Sequence, residues 1–186
     1  AGIIALDFAD STKKVIGKEL PTDKESTTLM GYYNNGGFGD KKLIYRTDII
    51  KQTPPYPVFD NEKYVALAYK YHLIDEKYEL KILNECVCIV DYQMDGSSTN
   101  MYRQYVRNPK GFAFWRKEQM KHSINTKQKI KTYIHYVSSS LIAKNKHFIK
   151  ESPEKFLTVL SVPLGFLLKI IVVKKSKSSY MKVEGI

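Results

Sequence analysis

The chain has 186 residues, of which 43% are hydrophobic and 26% charged, and a formal net charge of +11. This size and composition suit one folded domain, or one domain with a helical extension, and exclude a globally disordered chain. Residues 1–100 carry 12 basic and 15 acidic side chains, whereas residues 101–186 carry 18 basic and 4 acidic ones. The positive excess lies entirely in the second half, which predicts a polyanionic partner there.

The first half predicts alternating short strands and helices. An apolar run at residues 2–6 predicts a buried strand, and the polar stretch 10–14 before Val15 and Ile16 predicts a hairpin. The further predicted elements are a helix over 26–34, an apolar run at 43–45, a brief helix over 47–50, a proline-rich extended loop at 54–57, a helix over 63–73, and strands over 78–83 and 85–92. Residues 1–96 are therefore predicted to form a mixed α/β domain.

The second half predicts helices. A serine cap predicts one helix to about residue 106, and Asn108 followed by Pro109 predicts another to about residue 123. Thr126 is the predicted cap of a helix to about residue 143, and Ser152 followed by proline and glutamate starts the last one. Residues 97–186 are therefore predicted to form a basic helical extension.

The two cysteines, Cys86 and Cys88, fall inside an apolar run. Residues two apart on a strand share a face, and so short a loop strains a disulfide. With no further cysteine to complete a metal cage, the pattern predicts two buried thiols in a reducing compartment. No signal-peptide pattern opens the chain, so we expect a cytoplasmic location.

Three polar segments have both a functional and a structural interpretation. Asp7 and Asp10 after the first strand suggest a carboxylate pair for a metal, but the following polar residues favour a hairpin turn. The glycine-rich residues 36–40 suggest a phosphate cradle, but they follow a helix and precede a strand, which favours a C-terminal cap. Asp60 and Glu62 precede a predicted helix, where helix capping is favoured over catalysis on the residues alone.

Five segments taken together resemble bacterial glycosyltransferases of family 2. They are residues 39–47 (GDKKLIYRT), 56–65 (YPVFDNEKYV), 92–98 (YQMDGSS), 108–112 (NPKGF) and 133–138 (YIHYVS). Their order and spacing carry the resemblance, which covers essentially the whole chain.

The resemblance implies a GT-A fold, of which this chain is similar to the carboxy-terminal, acceptor-side half. It implies that Glu62 is the general base that deprotonates the acceptor hydroxyl in an inverting sugar transfer, with Asp60 as the second choice. It also implies that Asp40, Arg46, Tyr92 and Asp95 line the acceptor side. Asn61 stands where the family more often has glycine.

The same resemblance implies a nucleotide-sugar donor, a saccharide or lipid-linked acceptor, and a divalent metal (magnesium or manganese) in the full-length enzyme. No residue of this chain is assigned to that metal, because nothing matches the donor-binding half with its Asp-x-Asp motif. The expected process is the synthesis of a cell-surface polysaccharide, and a homo-oligomer or a separate amino-terminal half is the expected protein partner.

The basic second half also predicts contact with an anionic membrane. Residues 156–173 are mostly apolar but short of the ~20 residues of a spanning helix, and basic residues flank them. We expect interfacial association at the inner face of the cell membrane, with a packed core helix as the alternative. Nucleic acid is not expected, because no helix-turn-helix, zinc-finger or RNP-like pattern is present. The alternative function is a non-catalytic module that binds the membrane and a partner chain.

Overall fold

The computed structural model describes residues 1–93, 96, 100–121 and 125–183, with side chains as far as residue 177. The chain divides into two compact units. The first consists of Ala1–Tyr56 and Leu67–Gln93, and the second of Pro57–Ala66 and the described residues from Gly96 onward.

The first unit is built on a mixed five-stranded sheet formed by the described residues. Its strands are β1 (Gly2–Ala9), β2 (Lys14–Val15), β3 (Ser26–Thr27), β4 (Lys41–Tyr45) and β5 (Leu80–Val90). β1 is central: it pairs with β5 in parallel and with β2 and β4 in antiparallel fashion, while β3 pairs with β5. Four successive β1 residues are buried, as expected of a strand covered on both faces. The predicted mixed α/β class and the predicted hairpin are confirmed.

Short helices cover this sheet: α1 (Leu29–Asn34), α2 (Thr47–Ile50) and α3 (Ala68–Asp75). Apolar residues of α1 join the sheet in one core of Ile4, Leu6, Leu20, Leu29, Tyr32 and Leu80, against which Tyr71 of α3 packs. Gly36, just after α1, has φ of 82°, so the glycine-rich segment closes a helix, as the sequence predicts.

Two predicted helices begin later than expected. Residues 26 and 27 form β3, and Thr28 caps α1 by accepting a hydrogen bond from the Gly31 N–H at 2.8 Å. The helix predicted from residue 63 begins at Ala68. Residues 57–66 belong to the second unit instead, where the Lys63 N–H binds the Asn108 side chain. The two strands predicted between residues 78 and 92 are one continuous strand, β5.

The prediction of two buried thiols is wrong. Cys86 is exposed, Cys88 is half-buried, and both are free. Register shifts opposite Ala5 and Leu6 interrupt the alternation of faces along β5. β3 reaches only Leu80 and Lys81, and the Ile82 N–H bonds to the Glu25 carbonyl beside it; beyond Ile82, the described residues pair with β5 on one side only.

The second unit is helical: α4 (Met101–Arg107), α5 (Pro109–Lys121), α6 (Thr126–Ile142), α7 (Phe148–Glu151), α8 (Lys155–Leu160) and α9 (Val162–Val183). Its core is formed by Ala113, Met120, Tyr133, Tyr136, Val137 and Phe148. α6 is capped by the side chain of Asn125, which accepts from the Gln128 N–H at 2.8 Å, one residue before the predicted cap. Among the helices of the described residues, none is long and apolar enough to cross a bilayer.

Gly165 sets the approach of α9 to α6. A Cβ atom added at Gly165 would lie 2.5 Å from Val137 Cγ1 and 3.1 Å from the Ile134 carbonyl oxygen. Carbon atoms in contact normally lie ~3.5–4.0 Å apart, so any side chain here forces the helices apart.

We therefore expect Gly165→Ala to lower the free energy of unfolding of the second unit by about 1–3 kcal/mol through overpacking. Urea unfolding followed by the fluorescence of Trp115, the one tryptophan of the chain, measures this directly. Leu164→Ala is the control on the same helix, because Leu164 is half exposed. Equal midpoints for the two variants would show that the contact is not tight.

Candidate functional site

In the first unit, polar side chains gather at the carboxyl end of the parallel pair β1 and β5. Asp7 lies near the end of β1, Asp40 immediately precedes β4, and Tyr92 follows β5. β4 is antiparallel to β1 and pairs Lys41 with Leu6, which brings Asp40 to this end of the sheet. Clefts at the carboxyl ends of parallel strands are where open α/β sheets bind ligands.

Asp40 and Tyr92 are joined directly, since the Tyr92 hydroxyl donates a hydrogen bond to Asp40 Oδ2. That bond, together with partial burial, raises the pKa of Tyr92 to about 12, so the phenol stays protonated at neutral pH. Both side chains remain accessible to solvent. The pair therefore presents a carboxylate and a phenol side by side, a combination that suits the hydroxyl groups of a ligand.

Asp7 is the buried member of this cluster, with 5% of its surface exposed. Burial raises the pKa of its carboxyl, and the nearby Lys42 partly offsets that effect. Cys88 is its partner in the strand register and lowers the pKa of the carboxyl slightly, and Lys42 Nζ lies 3.6 Å from Cys88 Sγ. The polar residues after β1 favour a hairpin turn over a site for both Asp7 and Asp10, although a carboxylate inside an apolar run is a signal for Asp7.

Lys41 has a structural role at this end of the sheet. It is buried, and its ammonium donates to the carbonyl oxygens of Ile16, Phe38 and Asp40 at 2.7–3.3 Å. Burial lowers the pKa of Lys41. These bonds fix the loop that carries Asp40.

The other residues predicted for this unit lie elsewhere. Arg46 follows β4 at the opposite end of the strand, where its guanidinium binds both oxygens of Asp48 at 3.1 and 2.8 Å. Asp10 lies in the exposed hairpin turn and pairs with Lys13. Asp95 is outside the described residues. Of the predicted acceptor-side residues, the structure brings Asp40 and Tyr92 together and leaves Arg46 apart.

The residues of this cluster do not fit the divalent metal that the resemblance implies. Within the described ranges, no group of three or more histidine, cysteine, aspartate or glutamate side chains is arranged to hold a metal ion. A hard dication needs several oxygen ligands, and here the charges of Lys41 and Lys42 act on the Asp7 carboxylate.

In the second unit, the predicted base Glu62 is bound to the start of α5. Its Oε1 accepts the Lys110 N–H at 2.9 Å and its Oε2 accepts the Gly111 N–H at 2.8 Å. These amides are among the four that a helix leaves without an internal partner, and a carboxylate there also meets the positive end of the helix dipole. Asp60, the second predicted carboxylate, is exposed in the preceding turn.

The segment around Glu62 is held at two further points. Asn108 accepts the Lys63 N–H through Oδ1 at 2.8 Å, and Tyr64 stacks on Phe112 with ring centroids 4.9 Å apart. A Cβ atom at Gly111 would lie 2.2 Å from the Tyr64 carbonyl oxygen, so only glycine permits this approach. Two of the resemblance segments, 56–65 and 108–112, are therefore in direct contact.

Asn61 has the left-handed conformation, with φ of 64°. Glycine adopts this conformation freely, and asparagine is among the few other residues that tolerate it. Asn61 therefore adopts a backbone conformation that glycine also favours.

A polar pocket of about 480 Å³ adjoins this segment. Pockets of about 300–1,000 Å³ are typical of small-molecule sites. The lining residues are Asn61, Lys63, Tyr64, Gln104, Arg107 and Asn108. Gln104, Arg107 and Asn108 were missed as site residues, because their place beside Asn61 depends on contacts between distant parts of the sequence.

Comparison with known proteins adds no relative: searches of protein-family models, of curated proteins and of solved structures found no match to this chain.

His135 lies in α6, within segment 133–138, and is partly buried in the second unit. Burial, with the positive charges of Arg116 and Lys131, lowers the pKa of His135 to about 4. Tyr105 lies beside it, with ring centroids 6.2 Å apart. Between about pH 4 and pH ~6.5, the imidazole of His135 is therefore neutral in the native state, whereas the same histidine in an unfolded chain, with a pKa of ~6.5, is protonated.

This depressed pKa predicts acid sensitivity. The unfolded state binds the extra proton between pH 6.5 and about 4, so the contribution of His135 to stability is present above pH 6.5 and is lost on acidification through that window. After allowance for solvent screening, we expect the wild type to lose about 1 kcal/mol more than His135→Gln between pH 7 and pH 5. Urea midpoints at the two pH values test this; parallel losses in both proteins would contradict it.

The cap formed by Glu62 gives a second prediction. Glu62→Ala leaves two amides of α5 without their carboxylate, and we expect it to lower the free energy of unfolding by about 1–2 kcal/mol. Asp60→Ala, at the exposed neighbouring carboxylate, is expected to change it by less than about 0.5 kcal/mol. Denaturant titration of both variants is the measurement, and an unchanged Glu62→Ala midpoint would mean that the cap does not form in solution.

Proposed function

We propose that this chain forms the acceptor-side portion of an inverting glycosyltransferase of the GT-A type. It would act in transfer of a sugar from a nucleotide-sugar to a saccharide or lipid-linked acceptor during synthesis of a cell-surface polysaccharide. The observation that carries the proposal is the contact between these segments. Segment 56–65 meets 108–112 in one unit, and Asp40 of segment 39–47 meets Tyr92 in the other.

Glu62 has the geometry of a positioned base in this proposal. A carboxylate offers about four lone-pair sites, and the two backbone amides use one on each oxygen. The remaining sites are free to accept the proton of an acceptor hydroxyl, while the amides fix the carboxylate in place. The proton moves to Glu62 as the hydroxyl oxygen attacks the anomeric carbon of the donor and the nucleotide diphosphate departs.

The polar pocket beside Asn61 supports saccharide recognition. Lys63 and Arg107 line it with basic side chains and Tyr64 with an apolar ring, while the Asn108 amide is bound within the protein to the Lys63 N–H and to Gln104. In the other unit, Asp40 and Tyr92 are the residues proposed to bind hydroxyl groups of the acceptor.

We also propose that transfer takes place at the inner face of the cell membrane, where lipid-linked acceptors are found. The basic second half supports this location through attraction to anionic lipids.

A non-catalytic module is the second candidate, and the same Glu62 contacts favour it. A carboxylate that caps α5 has a sufficient structural reason to be present, with no chemistry required. The two candidates differ in what Glu62 does beyond capping.

Transfer assays with nucleotide-sugar donors and the polysaccharide acceptor separate the candidates. We expect Glu62→Gln, in the enzyme that contains this chain, to lower the transfer rate per folded molecule at least about 100-fold, because general-base catalysis is worth ~10²–10⁴. Glu118→Gln is the matched control, since it neutralises a carboxylate of the same helix that pairs with Lys121 and does not line the pocket. Equal rates in Glu62→Gln and Glu118→Gln would reject Glu62 as the base.

Acceptor binding is tested on the chain itself by saturation-transfer NMR with a panel of bacterial oligosaccharides. Asp40→Asn should weaken the signal severalfold, whereas Asp48→Asn, at the other end of β4, should leave it unchanged. If no saccharide of the panel binds, the result would contradict the acceptor role.

A further inference from the structure

The outward face of α9 is apolar. Leu164, Phe166, Leu167, Ile170 and Ile171 are each between 47% and 54% exposed. In a helix that packs on a soluble core, such side chains face inward and polar ones face water. α9 shows the opposite arrangement.

The inward face of α9 is made of small residues. Ser161, at its start, and then Gly165, Val172 and Ser176 are the buried positions, and they follow the four- and seven-residue spacing of one helix face. Gly165 lies directly against Val137 of α6. Small residues at helix–helix contacts, with large apolar side chains turned outward, are the packing pattern of helices whose surroundings are lipid rather than water.

α8, which directly precedes α9, also exposes apolar side chains. Phe156 is 74% exposed, and Val159 and Leu160 are at least half exposed. Single exposed apolar residues are ordinary on a soluble surface, but a set of this size marks an interaction site.

Basic residues accompany this face, and acidic ones are absent from the sequence between residues 155 and 183. Lys155, Lys174 and Lys177 are exposed. Lys169 lies over the Phe166 ring, with its Nζ atom 5.9 Å from the ring centroid, so its stem follows the apolar surface.

We propose that the outward face of α8 and α9 (the lipid face) inserts into the headgroup region of an anionic membrane, with both helices lying along the surface. This inference rests on the membrane location proposed above and assigns the residues that make the contact. An anionic bilayer accounts for both the exposed apolar side chains, which it covers, and the exposed lysines, which it attracts. A second copy of the chain is disfavoured as the occupant, since it would bring lysines of like charge together.

Vesicle binding tests the lipid face with variants that keep the fold. We expect the wild type to bind vesicles of phosphatidylcholine mixed with phosphatidylglycerol, and to bind phosphatidylcholine alone more weakly. The double variant Phe166→Ser, Leu167→Ser should lower the partition coefficient at least about tenfold. Val58→Ser is the control, because Val58 is a 91% exposed apolar residue outside the lipid face.

The lysines are tested separately. Lys174→Gln and Lys177→Gln should each lower binding to the anionic vesicles by about fivefold and leave binding to neutral vesicles unchanged. High salt should have the same effect as removal of the lysines. Equal binding of the wild type to both vesicle types would overturn the electrostatic part.

The depth to which the lipid face inserts into the bilayer is measured with the variant Leu167→Trp and vesicles of brominated lipid. We expect bromine to quench this tryptophan and to spare the buried Trp115 of the wild type. Unimpaired binding of the double variant would overturn the lipid face and leave the membrane location standing; no binding by the wild type would overturn both. A dimer in sedimentation that the double variant dissociates, with no vesicle binding, would assign the face to a second copy.

Discussion

The bonds between Glu62 and the first amides of α5 are the constraint on which the site depends. They tie a segment that precedes α3 in the chain to a helix 48 residues later, and Asn108 and Gly111 complete the attachment. Because both carboxylate oxygens accept hydrogen bonds from α5, the orientation of the Glu62 carboxylate is fixed. The helix start thus gains a cap, and the carboxylate gains a fixed position. A structural role and a chemical role are compatible in one side chain for this reason.

The first unit follows from β1, whose burial on both faces brings Asp7 into an apolar strand. The neighbouring Lys42 and Cys88 then set its electrostatic environment. Asp40 and Tyr92 reach the same end of the sheet only because β4 is antiparallel to β1 and β5 is parallel to it. Topology therefore selects this pair over Arg46, although Arg46 and Asp40 belong to the same short sequence segment. Asp40 and Arg46 flank the two ends of β4, so they lie at opposite ends of the sheet although they are close in sequence.

Local signals in the sequence predicted the elements that depend on local physics. The apolar run of β1, the turn after it, and the Asn-Pro start of α5 were all recognisable, and so was the mixed α/β class. The later start of α3 was not, because residues 57–66 belong to the second unit, through contacts such as that of the Lys63 amide with Asn108, 45 residues away. The exposure of Cys86 depends on a register shift, and β3 is too short to show a period. The sequence of α9 has apolar residues on every side of the helix, so it does not predict which face packs against the core. Gly165 is a sequence signal for the packed face.

The Glu62 carboxylate, while capping α5, is proposed to contact the acceptor. A crystal structure of this chain with a bound oligosaccharide tests this role. We expect a sugar hydroxyl within hydrogen-bond distance of a Glu62 oxygen, about 2.6–3.2 Å, with the Lys110 and Gly111 amides still bound. A saccharide held away from Glu62, whose oxygens then contact only those two amides, would contradict it.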